Sequence, residues 1–476
     1  MILRMATSIG FTTLAIISLM TTPTLGASDA PELPALPVAV CDAATAYDCG
    51  VQIGTAMSER ISSSLQAMPD LLALADWATI TPEGRTALAS LEATNKAAYP
   101  DAWAEMEGIS VGSGVERNVI LTTNLAQELE GLRIASEGRD GASGGGGGGF
   151  FQRSKTLEKH CTDVHLVRAA STSGEGTAAL PALSALAHNE DDEQGAAANG
   201  YLVAARISGG TGSSGSGYEY CGFAYPGALV GWAWGFSGAG VAQTVNAMSP
   251  ANQTTGKACA LAARDALQAV SLADAVRRID VGGLAAGLSF NLGQVAAPAG
   301  RGEPPPPLPP HYNVETSPGG NDVLEIAAGN GTGDGGGANV YYHTNVYLHD
   351  LGNTADLGAQ DSSWHRLARL EALPPPASTI DMLLMLGDTE DPEFPIYRNQ
   401  TAPDYATTLN SLLLDFGAGT ASVWPFYPGG DAPWAYSPGF AATGVQPRYI
   451  FDLRGGFESW VQTAAAVASA AKPVGG

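Results

Sequence analysis

The stretch Lys159-His160-Cys161-Thr162-Asp163-Val164 decides our interpretation of this chain, because the character of the sequence changes there. Before it the apolar spacing is mainly helical, and after it the pattern is rich in strands. We interpret Cys161 as the first residue of a mature chain, exposed when the chain cuts itself between His160 and Cys161. The alternative is a buried, inert thiol, which a single cysteine does not exclude.

Cysteine counting supports a reactive role for Cys161. Among the five cysteines, Cys41 and Cys49 flank a short loop and are predicted to form a disulfide. A pairing of Cys221 with Cys259 is a weaker alternative. Either way Cys161 is the odd thiol, as expected of a reactive one. No CxxC pair or cysteine–histidine spacing suits zinc, so we expect no metal and no cofactor.

A cysteine at a chain terminus carries two catalytic groups. The thiol is the nucleophile, and the α-amine, with a reference pKa of roughly 7.7–8.0, can take its proton near neutral pH. Self-cleavage would begin when the thiol attacks the preceding carbonyl carbon, an N-to-S acyl shift. That step needs strain and a group that stabilises the oxyanion, but no external protease.

Composition sets the class of protein and its compartment. The chain is 45% hydrophobic and 15% charged, which allows a sizeable core, and its net charge of −24 argues against nucleic-acid binding. Arg4, the apolar stretch 9–20 and the small residues Thr24 and Gly26 predict a cleaved signal peptide over residues 1–26, with a membrane anchor or a wrong start codon as the alternatives. We therefore expect a secreted or vacuolar protein. If the protein enters the secretory pathway, its sequons predict N-glycosylation at Asn252, Asn330 and Asn399.

The chain divides into a helical pro-segment over 27–160 and a catalytic domain over 161–476. Helices are predicted over 58–75, 86–99 and 117–133. The glycine run 144–149 is interpreted as a flexible tether. Beyond Cys161, strands and helices alternate in blocks, which favours layered α+β packing. Strands are predicted near 164–168 and over 201–207, 218–223, 239–245, 287–292, 339–348 and 407–416, and helices over 257–278 and 379–386. The apolar run 407–416 also fits a helix.

Three further candidates for the site come from polar segments, each with a plainer alternative. The acidic run 189–193 is read as a loop whose carboxylate could hold an α-amine, or as a solvated loop. Asn345 could donate to an oxyanion, or be an ordinary strand residue. Arg398 could place positive charge beside a thiolate, or form a surface salt bridge. A metal site built from His188 and Glu190–Asp192 is rejected, because crowded carboxylates more often remain solvated.

Together these segments resemble the acyl-CoA:6-aminopenicillanic acid acyltransferase family of N-terminal-nucleophile hydrolases (peptidase C45). Six weak motifs occur in the family's order, which makes the resemblance fairly specific. They are Glu105-Met-Glu-Gly-Ile109, Cys161-Thr162, His188-Asn-Glu-Asp191, Gly235-Phe-Ser-Gly-Ala-Gly240 with Asn246, His343-Thr-Asn345, and Asp388-Thr-Glu390 with Ile396-Tyr-Arg398.

The resemblance implies a four-layer αββα sandwich and assigns roles by position. Cys161 would be the nucleophile and, through its α-amine, the base. Asp191 would hold the amine, Asn345 would build the oxyanion hole, and Arg398 would lie close to the sulfur. The pro-segment would stay bound as a small subunit.

Some positions depart from the family pattern. His160 replaces the usual glycine, which bears on the efficiency of self-cleavage. Ser237, Val346 and Tyr397 replace the usual asparagine, histidine and cysteine, which bears on the identity of the substrate.

We therefore expect an autoprocessed enzyme that cleaves a linear amide, or transfers its acyl group, through a thioester on Cys161. A secreted protein rarely meets acyl-CoA, which favours hydrolysis of a small amide such as an N-acyl amine or a short peptide. The alternative is a secreted glycoprotein that keeps the fold without the chemistry.

Overall fold

A computed structural model describes the chain from residue 33 to residue 470 with gaps. The predicted signal peptide, the glycine tether and the sequons at Asn252 and Asn330 lie outside the described residues, whereas Asn399 is described and exposed. The described ranges are 33–141, 160–170, 181–193, 199–209, 217–250, 253–297, 307–329, 338–351, 361–400, 403–404, 406–425 and 446–470.

Helices dominate the segment before Cys161. Seven helices are described there, and five follow later in the chain. They are α1 (Ala46–Ala56), α2 (Ser58–Gln66), α3 (Pro69–Ile80), α4 (Pro82–Ala98), α5 (Pro100–Ser113), α6 (Arg117–Asn124), α7 (Ala126–Gly141), α8 (Cys259–Ala266), α9 (Leu272–Ile279), α10 (Asp361–Ala372), α11 (Thr379–Leu386) and α12 (Gly456–Ala470).

The described strands form two sheets. The eight-stranded sheet has the order β1-β4-β5-β6-β7-β8-β9-β10, and the six-stranded sheet has the order β11-β2-β3-β12-β13-β14. The strands are β1 (Val38–Ala43), β2 (His160–Arg168), β3 (Leu183–Glu193), β4 (Tyr201–Ile207), β5 (Tyr218–Ala224), β6 (Trp234–Ser237), β7 (Val241–Met248), β8 (Gly287–Gln294), β9 (His311–Ser317), β10 (Gly320–Ile326), β11 (Ala338–His343), β12 (Ala406–Asp415), β13 (Thr420–Pro425) and β14 (Tyr449–Asp452).

The two sheets face each other between layers of helices. One face of the eight-stranded sheet packs on the N-terminal helices and on α8 and α9. Its other face meets the six-stranded sheet, where for example Phe236 and Phe451 pack at a centroid distance of 5.8 Å. The outer face of the six-stranded sheet packs on α11. This confirms the predicted α+β fold with αββα layers.

The segment before Cys161 is not purely helical, which corrects the sequence prediction. β1 is an edge strand of the eight-stranded sheet and pairs in parallel with β4, from Val38↔Leu202 to Ala43↔Ile207. The structure joins Cys41 of β1 to Cys49 of α1 by a disulfide. This segment therefore shares a sheet with the part of the chain that follows Cys161.

Three helices in this segment begin at proline, which explains an error in the predicted boundaries. Pro69, Pro82 and Pro100 each occupy the first turn of a helix, where the missing N–H is not needed. The single helix predicted over 58–75 is therefore two helices. The single helix predicted over 257–278 is also two helices. The second begins after Ser271, whose side chain caps it by accepting a hydrogen bond from Asp274 N.

The acidic run 189–193 lies in a strand, so its prediction as a loop was wrong. β3 is central in its sheet, between β2 and β12. The side chains of residues 188–192 are buried, and partners on other elements bind most of their polar atoms, whereas Asp191 Oδ2 has no hydrogen bond to a described residue. Asn189, for example, donates to Leu386 O at 2.7 Å and accepts from Ser411 Oγ at 2.6 Å. A polar segment can thus form a buried strand when its side chains find hydrogen-bond partners.

The remaining cysteines do not pair. Cys161, Cys221 and Cys259 are each buried and free, so the weaker pairing of Cys221 with Cys259 is wrong. Within the described ranges, no helix is both long enough and apolar enough to span a membrane.

Candidate active site

Two neighbouring strands carry the candidate residues. β2 runs antiparallel to β3, and the register places Cys161 opposite Glu190 and His160 opposite Asp191. Side chains alternate between the two faces of a strand, so Cys161 and Asp163 point to the same side. That side faces the other sheet, because Asp163 bonds to residues of β7. The cysteine therefore lies between the two sheets.

A chain of buried polar groups leads away from the Cys161 sulfur. Its thiol donates to Glu190 Oε2 at 3.7 Å. The same oxygen lies 3.0 Å from His188 Nε2, and His188 Nδ1 lies 3.0 Å from the Asp163 carboxylate. Tyr225 donates its hydroxyl to the other oxygen of Glu190. Each acid and base in this chain has a fixed partner.

The far end of this chain is held by the opposite sheet. Asp163 accepts from Thr244 Oγ1 and, at 2.7 Å, from Asn246 Nδ2. Burial alone would lower the pKa of His188, but the carboxylates of Asp163 and Glu190 outweigh it and raise that pKa to about 10. His188 is therefore a charged imidazolium at neutral pH.

The Cys161 thiol keeps its proton in this environment. Burial raises its pKa well above the ordinary value, and the carboxylates of Glu190, Asp191 and Asp163 raise it further. Only Arg366, among the main influences, acts in the opposite direction. The residue is 2% exposed. In the intact chain it needs a base before it can act as a nucleophile.

The backbone of Cys161 is bound by Asn345 and Arg366. Its amide N–H donates to Asn345 Oδ1 at 2.9 Å. Arg366 Nη2 donates to the same oxygen at 2.9 Å, while Nη1 donates to Cys161 O and, at 2.8 Å, to Thr162 Oγ1. The Arg366 guanidinium thus fixes the start of β2 against the loop that carries Asn345.

The segment His343-Thr344-Asn345 ends β11 earlier than the strand predicted over 339–348. His343 Nε2 lies 2.9 Å from Glu315 Oε1, and the same oxygen accepts from Leu348 N at 2.8 Å. Thr344 Oγ1 donates to Ser363 O of α10 at 3.2 Å. The chain therefore leaves the sheet at His343, and the turn presents Asn345 to Cys161.

Asp191 has one oxygen bound and one oxygen without a described partner. Oδ1 accepts from Thr408 Oγ1 at 2.7 Å, whereas Oδ2 is buried and makes no hydrogen bond to a described residue. Burial raises the pKa of Asp191 to about 6, while the charges of Arg398 and Arg366 act to lower it. A buried carboxylate oxygen without a partner is costly unless a donor reaches it.

Arg398 is bound to Asp404 rather than to Cys161 in the described part of the chain. Its Nε donates to Asp404 Oδ2 at 2.7 Å, and its Nη2 bonds to Oδ1. Its backbone N–H donates to Thr408 Oγ1 at 3.0 Å, and this hydroxyl in turn donates to Asp191. Arg398 therefore lies behind Asp191, and the guanidinium that contacts Cys161 belongs to Arg366.

Several residues of this site were not predicted from the sequence. Arg366 lies in no motif that we recognised in the sequence. It stands three and four residues after Ser363 and Ser362, so the three side chains share one face of an amphipathic helix. Asp163, lying two residues after Cys161, could have been found from the alternation of a strand. Tyr225 and Thr244 lie on other segments of the chain, and only the packing of the two sheets brings them here.

Three buried side chains of this site have the spacing of metal ligands. The ligand atoms of Cys161, His188 and Glu190 all lie within 4.8 Å of one another, a spacing that could hold an ion. The expectation of solvated carboxylates at 190–192 was wrong, because Glu190, Asp191 and Asp192 are all buried. As the site stands, its thiol, imidazole and carboxylate groups are hydrogen-bonded to one another.

The model of the acyl-coenzyme A:6-aminopenicillanic acid acyl-transferase family matches residues 181–301. The matched segment includes Asp191 and Asn246 but reaches neither Cys161 nor Asn345. It confirms the resemblance inferred from the motifs, and with it the expectation of an enzyme that hydrolyses amides or transfers acyl groups. No curated protein matches the chain.

Two solved structures share a remote similarity with the chain. A mutant of the conjugated bile acid hydrolase from Clostridium perfringens is 10% identical, with a TM-score of 0.30, over 56% of this chain and 89% of that one. Penicillin V acylase from Agrobacterium tumefaciens is 14% identical, with a TM-score of 0.31, over 55% of this chain and 82% of that one.

Proposed function

We propose that this chain is a self-cleaving cysteine enzyme that acts on the C–N bond of a linear amide. The observation that carries the proposal is the position of Cys161. It is the second residue of the buried strand β2, its N–H is bound by Asn345, and the neighbouring strand offers the unbound Oδ2 of Asp191. Cleavage before Cys161 would turn its N–H into an amine, and that amine could donate to this oxygen.

The proposed reaction passes through a thioester. The Cys161 sulfur attacks the carbonyl carbon of the substrate while the α-amine takes the thiol proton, which then goes to the leaving amine. Asp191 would orient the α-amine, and Arg398, through its charge, favours the ionised form of Asp191. Asn345 would stabilise the oxyanion through Nδ2, which donates to Ala247 O at 3.1 Å in the intact chain and would have to turn to the substrate. Water or a second amine then accepts the acyl group.

The pro-segment is proposed to remain as a small subunit after cleavage. β1 supplies a strand of the eight-stranded sheet, and the helices α1–α7 share one apolar core with that sheet. Both features support retention of the cleaved segment. Because a sheet strand and a core layer would be lost on release, dissociation would expose a large apolar face.

The substrate class follows from the proposed compartment. We propose export to the cell exterior or a vacuolar lumen, on the basis of the N-terminal sequence. A hydrolase of small amides, such as N-acyl amines or short peptides, suits that setting better than an acyl-CoA transferase.

N-terminal sequencing and intact mass of the purified protein test the proposal. We expect one fragment that begins at Cys161 and ends at Gly476, together with a second fragment from the pro-segment. Cys161→Ala should give a single uncut chain without amidase activity, because both the nucleophile and the later base are lost.

Two results would contradict this prediction. One is cleavage that persists in Cys161→Ala, which would mean that another group cuts the chain. The other is a wild-type chain that stays uncut and inactive on amides, which would favour a glycoprotein that keeps the fold without the chemistry.

A further inference from the structure

The base proposed for amide hydrolysis is not available for self-cleavage. The α-amine of Cys161 exists only after the cut, because in the intact chain its nitrogen is part of the bond to be broken. A different group must therefore take the thiol proton before the sulfur attacks the His160 carbonyl carbon. Such a base has to lie within hydrogen-bond reach of the sulfur.

We infer that Glu190 is the base for self-cleavage, an inference that rests on the proposed function. Among the described residues, Glu190 is the side chain that accepts the Cys161 thiol, with Oε2 3.7 Å from the sulfur. The register of β2 and β3 sets this contact, because the two residues are directly opposite each other. Both are buried, so bulk water does not compete for the proton.

Tyr225 fixes which oxygen of Glu190 faces the sulfur. Its hydroxyl bonds to Oε1, so Oε2 is left for the thiol and for His188 Nε2 at 3.0 Å. A carboxylate held at both oxygens cannot rotate away from Cys161. The hydrogen bonds thus orient the base before the reaction, and such positioning lowers the barrier to proton transfer.

His188 and Asp163 act as positioning residues. Asp163 holds His188 Nδ1 at 3.0 Å, and Asn246 of the opposite sheet holds Asp163 at 2.7 Å. His188 therefore directs Nε2 at Glu190 and places a positive charge beside it. The packing of the two sheets thus positions Glu190, through Asn246, Asp163 and His188.

Self-cleavage would proceed in two steps, through a thioester between His160 and Cys161. The thiol proton passes to Glu190 Oε2 as the sulfur forms a bond to the His160 carbonyl carbon. The bond from that carbon to Cys161 N then breaks, and the nitrogen receives the proton from Glu190. The products are a thioester and a free α-amine. Water hydrolyses the thioester, which restores the thiol and releases the His160 carboxylate and one proton.

Two neighbouring residues of β3 would then act at different stages of the reaction. Glu190 faces the sulfur and serves before the cut. Asp191, on the opposite face of the strand and across from His160, keeps Oδ2 without a described partner and would serve the amine after the cut.

The test follows cleavage of freshly purified full chains by intact mass over time. Glu190→Gln keeps the shape of the side chain but removes the base, so we expect cleavage about 100-fold slower. The matched control is Glu128→Gln. Glu128 is also a buried glutamate, but it accepts from Cys259 N at the start of α8, and its replacement should leave the cleavage rate unchanged.

Each outcome separates this inference from the proposed function. If the wild-type chain never cuts, the proposed function fails, and the inference with it. If wild type and Glu190→Gln cut at the same rate, self-cleavage stands and Glu190 is not the base.

Thermal unfolding of each variant checks that it is folded. If Glu190→Gln does not fold, Tyr225→Phe decides the question, because it keeps the carboxylate but frees Oε1. We expect it to cut about tenfold more slowly, as for the loss of one hydrogen bond to a charged group. Cutting at the wild-type rate would overturn the inference.

Discussion

His188 is an imidazolium between two carboxylates, and the charge of this single residue links stability to pH. Its pKa is raised to about 10 in the folded chain, against 6.5 for a free histidine. Because the folded state holds the proton more tightly, His188 stabilises the fold fully below about pH 6.5. That contribution falls as the pH rises and is lost above about pH 10.

A pair of uncut chains tests this linkage. We expect the gap in free energy of unfolding between Cys161→Ala and Cys161→Ala with His188→Gln to be largest near pH 6 and to shrink steadily towards pH 10. Urea unfolding at several pH values measures the gap. A gap that does not change with pH would show that His188 is neutral in the folded chain.

Helices α1 and α5 cross with their backbones in contact, and four glycines make this approach possible. A Cβ on Gly50 or Gly54 would lie 2.1 or 2.5 Å from a carbonyl oxygen of α5. A Cβ on Gly108 would lie 2.2 Å from Tyr47 O, and one on Gly112 would lie 2.2 Å from Val51 O. The glycine of the segment Glu105–Ile109 thus has a packing role.

Replacing Gly108 by alanine should destabilise the protein. Alanine gains about 1 kcal/mol in helix propensity, but overpacking against backbone typically costs about 1–3 kcal/mol and occasionally more. No side-chain rotation can relieve a clash with a carbonyl, so we expect the cost to lie at the upper end, about 3 kcal/mol. After the gain in helix propensity, the net loss in urea unfolding would be about 2 kcal/mol. Gly282→Ala is the control, since its Cβ would meet nothing within 4 Å. Equal stability of the two variants would contradict the close backbone contact between α1 and α5.

A buried ion pair joins the two halves of the whole molecule. Glu105 of α5 accepts from Arg264 Nη2 of α8 at 2.7 Å and from Tyr220 Oη of β5 at 2.8 Å. The pair spans the proposed cleavage site in sequence, with Glu105 before Cys161 and Arg264 after it. After cleavage it would be a contact between subunits.

Glu105→Gln should weaken the association of the two fragments. The buried charge of Arg264 would lose its counterion, which costs about 3–5 kcal/mol. We expect the fragments to separate at a lower urea concentration in size-exclusion chromatography. Glu107→Gln is the control on the same helix, because its partly exposed pairs with Lys96 and Arg117 are worth at most about 1 kcal/mol. An unchanged urea midpoint in Glu105→Gln would argue against a joining role.

Strands with a clear apolar pattern were predictable one by one. β4 was predicted to its observed bounds, as was α11, because each combines a regular apolar period with turn residues at both ends. β3 was not predicted as a strand, because seven of its eleven residues are polar. Its acidic part becomes a strand only when partners such as Tyr225 and Thr408 arrive from elsewhere in the chain.

The sequence by itself was enough to predict the α+β class from local periodicity and, through the resemblance carried by the ordered motifs, the αββα layers. The boundary at Cys161 and the roles of Asp191 and Asn345 stay predictions from the same motifs, which depend only on neighbouring residues. Only the tertiary structure decided which groups surround the sulfur. Arg366 comes from a helix about two hundred residues downstream of Cys161, and Glu190 faces the sulfur because of strand register. Such contacts depend on how sheets and helices pack, and no local pattern records that packing.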